Sequence, residues 1–119
     1  MALIPTPRPT WRAAPGRAED WNAYLRRLEE ERRLYPGILS GISQIETGHL
    51  PDERRDTIVS PAGAQGYWQF MPATAARFGL RDTADRWEGA RAAADYLATM
   101  RDQFAQAGLD PTPDLLGAG

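Results

Sequence analysis

Apolar positions recur with a helical period along most of the chain. Trp21, Tyr24, Leu25 and Leu28 fall at i, i+3, i+4 and i+7, which predicts a helix from about Arg17 to Leu34 with one face on a core. The opposite face, "RRLEEERR" at 26–33, alternates in sign and reads as solvated. Glu29 and Arg33 on it are spaced for a stabilising i,i+4 pair. "YPG" at 35–37 breaks this helix, and Pro36 suits the first turn of a second one that ends near Thr47. Ile38, Leu39, Ile42 and Ile45 make its apolar stripe. Gly41 inside it predicts close approach by another backbone, and Gly48 suits the position just past the helix end.

Residues 49–66 lose the period and read as an irregular connection, with "PDERRD" at 51–56 as a charged surface loop and "DTIVS" as a short strand or extended loop. Pro72 fits the first position of a short helix to Phe78, which Gly79 stops. A long helix follows from about Arg86 to Ala107, with Ala90, Ala93, Ala94, Leu97, Met100 and Phe104 as its stripe and Gly108 as its end. "DPTPDLLGAG" reads as the start of one more helix. Residues 1–16 carry Pro5, Pro7, Pro9 and Pro15 and read as an extended arm without a core. The expected class is mainly α: a proline-rich arm at 1–16, then one helical domain from 17 to 119.

Composition narrows the chemistry. At 119 residues and 42% apolar content the chain can bury one modest core. All fourteen positive residues are arginine, yet net charge is −2, so nucleic acid is not expected as the main partner. Cysteine is absent and His49 is the only histidine, which excludes thiolate catalysis and argues against a Ser-His-Asp triad or a His/Cys metal cluster. Acid–base work falls to carboxylates. No apolar run approaches a membrane span, and "MALIPTPRPTW" does not read as a secretory signal.

Among the carboxylates Glu46 stands out. It follows the expected buried Ile45 and lies at a helix C-terminus, where the macrodipole disfavours negative charge. The next segment supplies glycines and aromatics that can wall a cleft over it. Partial burial and the dipole would both favour the protonated acid, a poor structural charge but a good proton donor. The ordinary alternative is a surface glutamate at a helix end. A proton donor suits a glycosidic oxygen. The nearest other acids, Asp52, Glu53 and Asp56, sit in the charged loop, whose pose the sequence does not fix; a single-acid mechanism is open where the sugar's own N-acetyl group assists. That points to N-acetylated sugars such as those of peptidoglycan.

"GILSGISQIETG" followed by "SPAGAQGYWQFMPATAARFGL" resembles the lytic transglycosylases of the soluble, goose-lysozyme-like type. In that family a helix ends in Glu-Ser-Gly or similar, and a glycine-rich segment ending in Met-Pro-x-Thr-Ala follows. Glu46, Ser60, Gly63, Ala64, Gly66, Gln69, Met71, Pro72, Thr74 and Ala75 fall on the pattern, and "DRWEGARAAADYL" extends it to Leu97. Three departures stand. Thr47 replaces the usual serine, Tyr67-Trp68 replace the commonest Leu-Met, and thirteen residues separate Glu46 from Ser60, more than is usual. The family's Ala-Tyr-Asn-x-Gly motif would fall beyond "DLLGAG", so the chain is expected to be an N-terminal piece of a longer polypeptide, lacking the fold's C-terminal helices.

The resemblance implies a lysozyme-like helical domain that cleaves the bond between N-acetylmuramic acid and N-acetylglucosamine to leave a 1,6-anhydro sugar. Glu46 would be the acid and then the base. Ser60 would contact the acetamido group, and the Gly66-Tyr67 backbone and Gln69 would line the cleft. Tyr67 and Trp68 would offer aromatic faces or serve the core, and Met71 would be a cleft wall or ordinary packing. No metal or cofactor is implied. The nearest context is the murein-degrading domain at the start of large internal virion proteins of short-tailed phages, held in the virion interior and delivered to the host periplasm. Its partners would be peptidoglycan glycan strands and other virion proteins. A periplasmic component of a bacterial secretion machine is the second context. An inactive structural virion module and a goose-type muramidase are the alternative functions.

Overall fold

The computed structural model describes residues 17–108, with side chains from residue 21 onward. The proline-rich arm and the last helix expected at 110–119 lie outside the described residues. Five helices follow in order: α1 (Arg17–Arg32), α2 (Ile38–Thr47), α3 (Asp52–Arg55), α4 (Pro72–Arg77) and α5 (Arg86–Gln106). Among the described residues no strand forms. The expected extended stretch contributes only an isolated antiparallel bridge, Val59 to Gln65, beside a second from Gln65 to Phe70. The class is mainly helical, as the periodicity predicts.

α1 and α5 build the core. Leu25 and Leu28 of α1 meet Ala90, Ala93, Ala94 and Leu97 of α5, with Trp21 and Tyr24 packed on the edge. Small residues keep this face of α5 low, and Gly89 makes room for the loop residue Trp68: a Cβ there would lie 2.5 Å from Cδ1 of Trp68. Asp85 starts α5 by accepting hydrogen bonds from the backbone N–H groups of Trp87 and Glu88, which would otherwise be orphaned in the first turn. Gly108 ends it in a left-handed conformation.

Glu29 does not belong to the solvated face. It is 4% exposed, and its two carboxylate oxygens accept the N–H groups of Gly37 and Leu39 at 3.0 Å each. A charge at the positive end of α2 satisfies donors that a ten-residue helix leaves open. Arg32 likewise turns inward, to Asp95 at 2.7 Å. Arg101 of α5 caps the end of α1 by donating to the carbonyls of Arg32 and Arg33.

α2 corrects the expected stripe. Ile38, Leu39, Ser43 and Thr47 are buried, whereas Ile45 is 72% exposed. Ser43 and Thr47 can occupy the inner face because their polar groups find partners there. Among the described residues no atom lies within 4 Å of a Cβ built at Gly41, so the expected close approach is absent there. Gly48 caps the helix in a right-handed rather than left-handed conformation. "PDERRD" is not a plain surface loop either: it folds into α3, and Arg55 is buried.

Candidate active site

The last turn of α2 opens onto a groove of about 320 Å³. Glu46 and Thr47 come from α2, and His49 and Leu50 from the turn after it. Ile58, Val59, Ser60 and Pro61 form an extended wall, and Gln69 closes the floor. Apolar side chains dominate the wall, with a few polar groups converging on it, the usual make-up of a ligand site. Among the described residues, Glu46 and His49 are the titratable side chains that line it.

Local structure fixes each polar group. Ser60 begins a tight loop. Its N–H donates to the Ala64 carbonyl at 2.8 Å, and its Oγ accepts the Ala64 N–H at 3.0 Å. The Ser60 hydroxyl proton therefore remains to be donated. Gln69 sits at φ 55, a left-handed conformation uncommon for a residue with a side chain. It is held there by two-way backbone pairing of Gln65 with Phe70, at 2.8 and 3.0 Å, and by its Nε2 donating to the Gly66 carbonyl at 2.9 Å. Backbone strain of this kind collects where a site needs one geometry.

Gly66 supports this turn from beneath. Its φ is +81, and a Cβ would meet the Thr83 carbonyl oxygen at 2.1 Å. Its N–H donates to the Ile58 carbonyl at 2.8 Å, tying the wall to the floor. Gly66 is buried and does not line the groove, contrary to the expectation from the family pattern.

The aromatic pair is also corrected. Tyr67 and Trp68 are 3% and 6% exposed and offer no face to a sugar. Tyr67 is gripped between two guanidinium groups, Arg55 at 4.0 Å from its ring centroid and Arg86 at 4.3 Å. Its carbonyl accepts the Thr47 hydroxyl at 2.9 Å. Trp68 donates its indole N–H to the Arg86 carbonyl at 3.0 Å. Met71 is exposed but lies outside the lining of the groove. Glu46 is at the helix end as expected, yet it is exposed on the groove rather than partly buried.

Of the expected site residues, then, Glu46, Ser60 and Gln69 share one groove, and Gly66, Tyr67 and Met71 do not. Sequence reasoning missed Thr47, His49, Leu50 and the wall residues Ile58, Val59 and Pro61 as lining. His49, the only histidine and three positions past Glu46, was the one signal available.

Arg86 anchors the surroundings. It bonds Asp56 through Nε at 2.9 Å and Nη2 at 3.2 Å, and Asp52 through Nη1 at 3.0 Å. Burial lowers its proton affinity, but the two carboxylates more than offset that, so the guanidinium holds its proton above the ordinary arginine range. Among the described residues no cluster of three or more His, Cys, Asp or Glu could hold a metal ion, and no helix is long and apolar enough to cross a membrane. A second cavity of about 270 Å³ between α1 and the start of α2 contains Glu29, whose oxygens are already engaged by α2.

No solved structure matches the chain. The family model described as "Transglycosylase SLT domain" matches residues 23–112, a span that includes the groove and the helices that carry it. That family implies transglycosylase chemistry in general and peptidoglycan as the substrate. With most of its length inside the match, this chain belongs to the transglycosylase SLT domain family.

Proposed function

We propose that the groove cleaves the β-1,4 bond between N-acetylmuramic acid and N-acetylglucosamine without water. The observation that carries this reading is the convergence of Glu46, Ser60 and Gln69, from three separate segments, on one groove at the end of α2. Among the described residues only one carboxylate, Glu46, lines the groove. Asp52 and Asp56 are taken up by Arg86. This supports a single-acid mechanism over one with two flanking carboxylates.

Glu46 gives its proton to the glycosidic oxygen as the bond from the muramoyl C1 breaks. The carboxylate then takes the proton of the muramoyl C6 hydroxyl as that oxygen bonds to C1 and displaces the assisting acetamido oxygen, and a 1,6-anhydro ring results. The free hydroxyl proton of Ser60 suits the acetamido carbonyl, whose oxygen assists at C1. Gln69 spends its amide nitrogen on the protein and has Oε1 to accept a sugar hydroxyl. The biological setting we infer is a virion interior, with delivery into the host periplasm to breach the wall during genome ejection. That setting rests on the sequence resemblance alone.

Mass spectrometry of murein digested by the 119-residue chain tests the proposal. Anhydromuropeptides are expected, with the rate of their release falling by about 10²–10⁴ in Glu46→Gln. Reducing-end muropeptides would instead assign a muramidase. No product above the Glu46→Gln control would leave a structural virion module.

A further inference from the structure

We propose that Arg55 is a positioning residue: from the long insert between Glu46 and Ser60, it clamps the last turn of α2 and so sets Glu46 against Gln69. The inference rests on the reading of Glu46 given above and adds a residue that acts through it.

Arg55 is 8% exposed. Its Nε donates to Oγ1 of Thr47 at 2.9 Å and its Nη2 to the carbonyl of Ser43 at 3.0 Å. Both partners lie on the inner face of α2, and Thr47 is the residue next to Glu46. The same Thr47 hydroxyl donates to the Tyr67 carbonyl at 2.9 Å. Tyr67 follows Gly66, whose carbonyl holds the Gln69 amide at 2.9 Å. One short chain of bonds therefore runs from Arg55 through Thr47 to the turn that presents Gln69.

The insert is itself anchored. Arg86 at the start of α5 holds Asp52, the first residue of α3, and Asp56, the residue just after Arg55. Both guanidinium groups cover the Tyr67 ring. The end of α2 is thus tied through α3 to α5, whose inner face from Trp87 to Leu97 is buried in the core.

A role in the fold alone explains this poorly. Among the described residues Arg55 has no carboxylate partner in a salt bridge. A buried cation without one is expensive, and an apolar side chain of similar volume would serve packing as well or better. What arginine supplies is geometry. Its planar fork reaches a hydroxyl and a carbonyl at once while its face lies on an aromatic ring, and at a helix C-terminus its charge is favoured. Lysine, a point charge on a flexible stem, reproduces none of the fork.

The test measures kcat and KM on a soluble murein glycan, and backbone amide exchange by NMR, in Arg55→Met, Arg55→Lys, Thr47→Val and Thr47→Ser. A misplaced acid leaves binding intact and lowers turnover. We expect kcat to fall about tenfold to a hundredfold in the first three variants, with KM within about twofold. Thr47→Ser keeps the hydroxyl and should retain kcat. Exchange at residues 44–48 should quicken about tenfold in Arg55→Met while α5 amides stay as protected as before. Unchanged kcat in Arg55→Met, a loss confined to KM, or a Thr47→Ser as poor as Thr47→Val would each overturn the proposal. If the unaltered chain releases no product, the activity reading has failed and exchange decides the clamp. Selective loss of protection at 44–48 then upholds it, and uniform or absent change overturns it.

Discussion

Two halves of this small domain are held together by different physics. Between α1 and α5, rings stack edge to face: Trp21 lies 4.9 Å from Trp87 and 5.6 Å from Tyr67, and Tyr67 lies 5.2 Å from Trp68. Burial of apolar area and dispersion dominate there. Under the groove, the inner face of α2 presents Ser43 and Thr47, and Arg55 fills the space beside them. Directional bonds replace area. Tyr67 is the seam, with its edge in the aromatic knot and its faces on two arginines. The first half tolerates small changes by degrees. The second fails when one donor is lost, because its neighbours are buried and have no substitute.

The strongest way to break the contrast is Trp68→Ala. It empties a site walled by Tyr67 and Gly89 and removes a hydrogen bond to the Arg86 carbonyl. Destabilisation of about 3–5 kcal/mol is expected, a large share of the roughly 5–15 kcal/mol typical of a domain. Denaturant unfolding followed by circular dichroism measures it. A cost under about 1 kcal/mol would mean the aromatic knot is not what supports the groove.

Gly66→Ala attacks the other half at its backbone. The added carbon meets the Thr83 carbonyl at 2.1 Å and φ is +81, so both the contact and the conformation resist it. About 2–3 kcal/mol is expected. The same unfolding experiment checks it, and the loss should be accompanied by faster exchange at Gln69, whose N–H donates to the Gly66 carbonyl.

Glu29→Gln sharpens the comparison at the far end of α2. The amide keeps one acceptor oxygen where the carboxylate uses two, and the charge at the helix N-terminus is lost. A cost of about 1–2 kcal/mol is expected. The loss of amide protection should begin at Gly37 and Leu39 and spare residues 44–48.

The contrast also explains which parts could be read from the sequence. α1 and α5 were legible because their inner positions are apolar at a helical period, from Trp21 to Leu28 and from Ala90 to Leu97. Pro72 and Gly79 marked α4 by the same local logic. Glu29 and Arg55 were hidden in runs whose composition matches a solvated face, and nothing local distinguishes a buried charge from an exposed one. Their partners decide it, and those lie eight to twelve positions away. Arg86 and Asp56 are thirty apart. Ile45 misled because it is apolar, while Ser43 and Thr47 took the inner face through bonds no periodicity records. In the groove, Glu46, Ser60 and Gln69 could be named from the motif. That Tyr67 turns inward could not, since an aromatic beside a glycine fits a cleft or a core equally well until two guanidiniums are found on its faces.

The smallest expected effect probes the aromatic half with alkali. Burial raises the proton affinity of the Tyr24 phenol above its ordinary value of 10.0. The positive charges of Arg27, Arg91 and Arg32 oppose that rise, and Asp85 adds to it. Its hydroxyl donates to the Trp87 carbonyl at 3.3 Å. A group held protonated in the fold contributes fully below its unfolded value, and the contribution is lost as pH climbs through the folded one. Stability at Tyr24 is therefore level to about pH 10 and then falls. Tyr24→Phe should cost roughly 0.5–1 kcal/mol at neutral pH, the worth of one hydrogen bond. Above about pH 10 the two unfolding curves should converge, because phenylalanine has no proton to lose. A gap that stays constant to higher pH would place Tyr24 outside the buried knot.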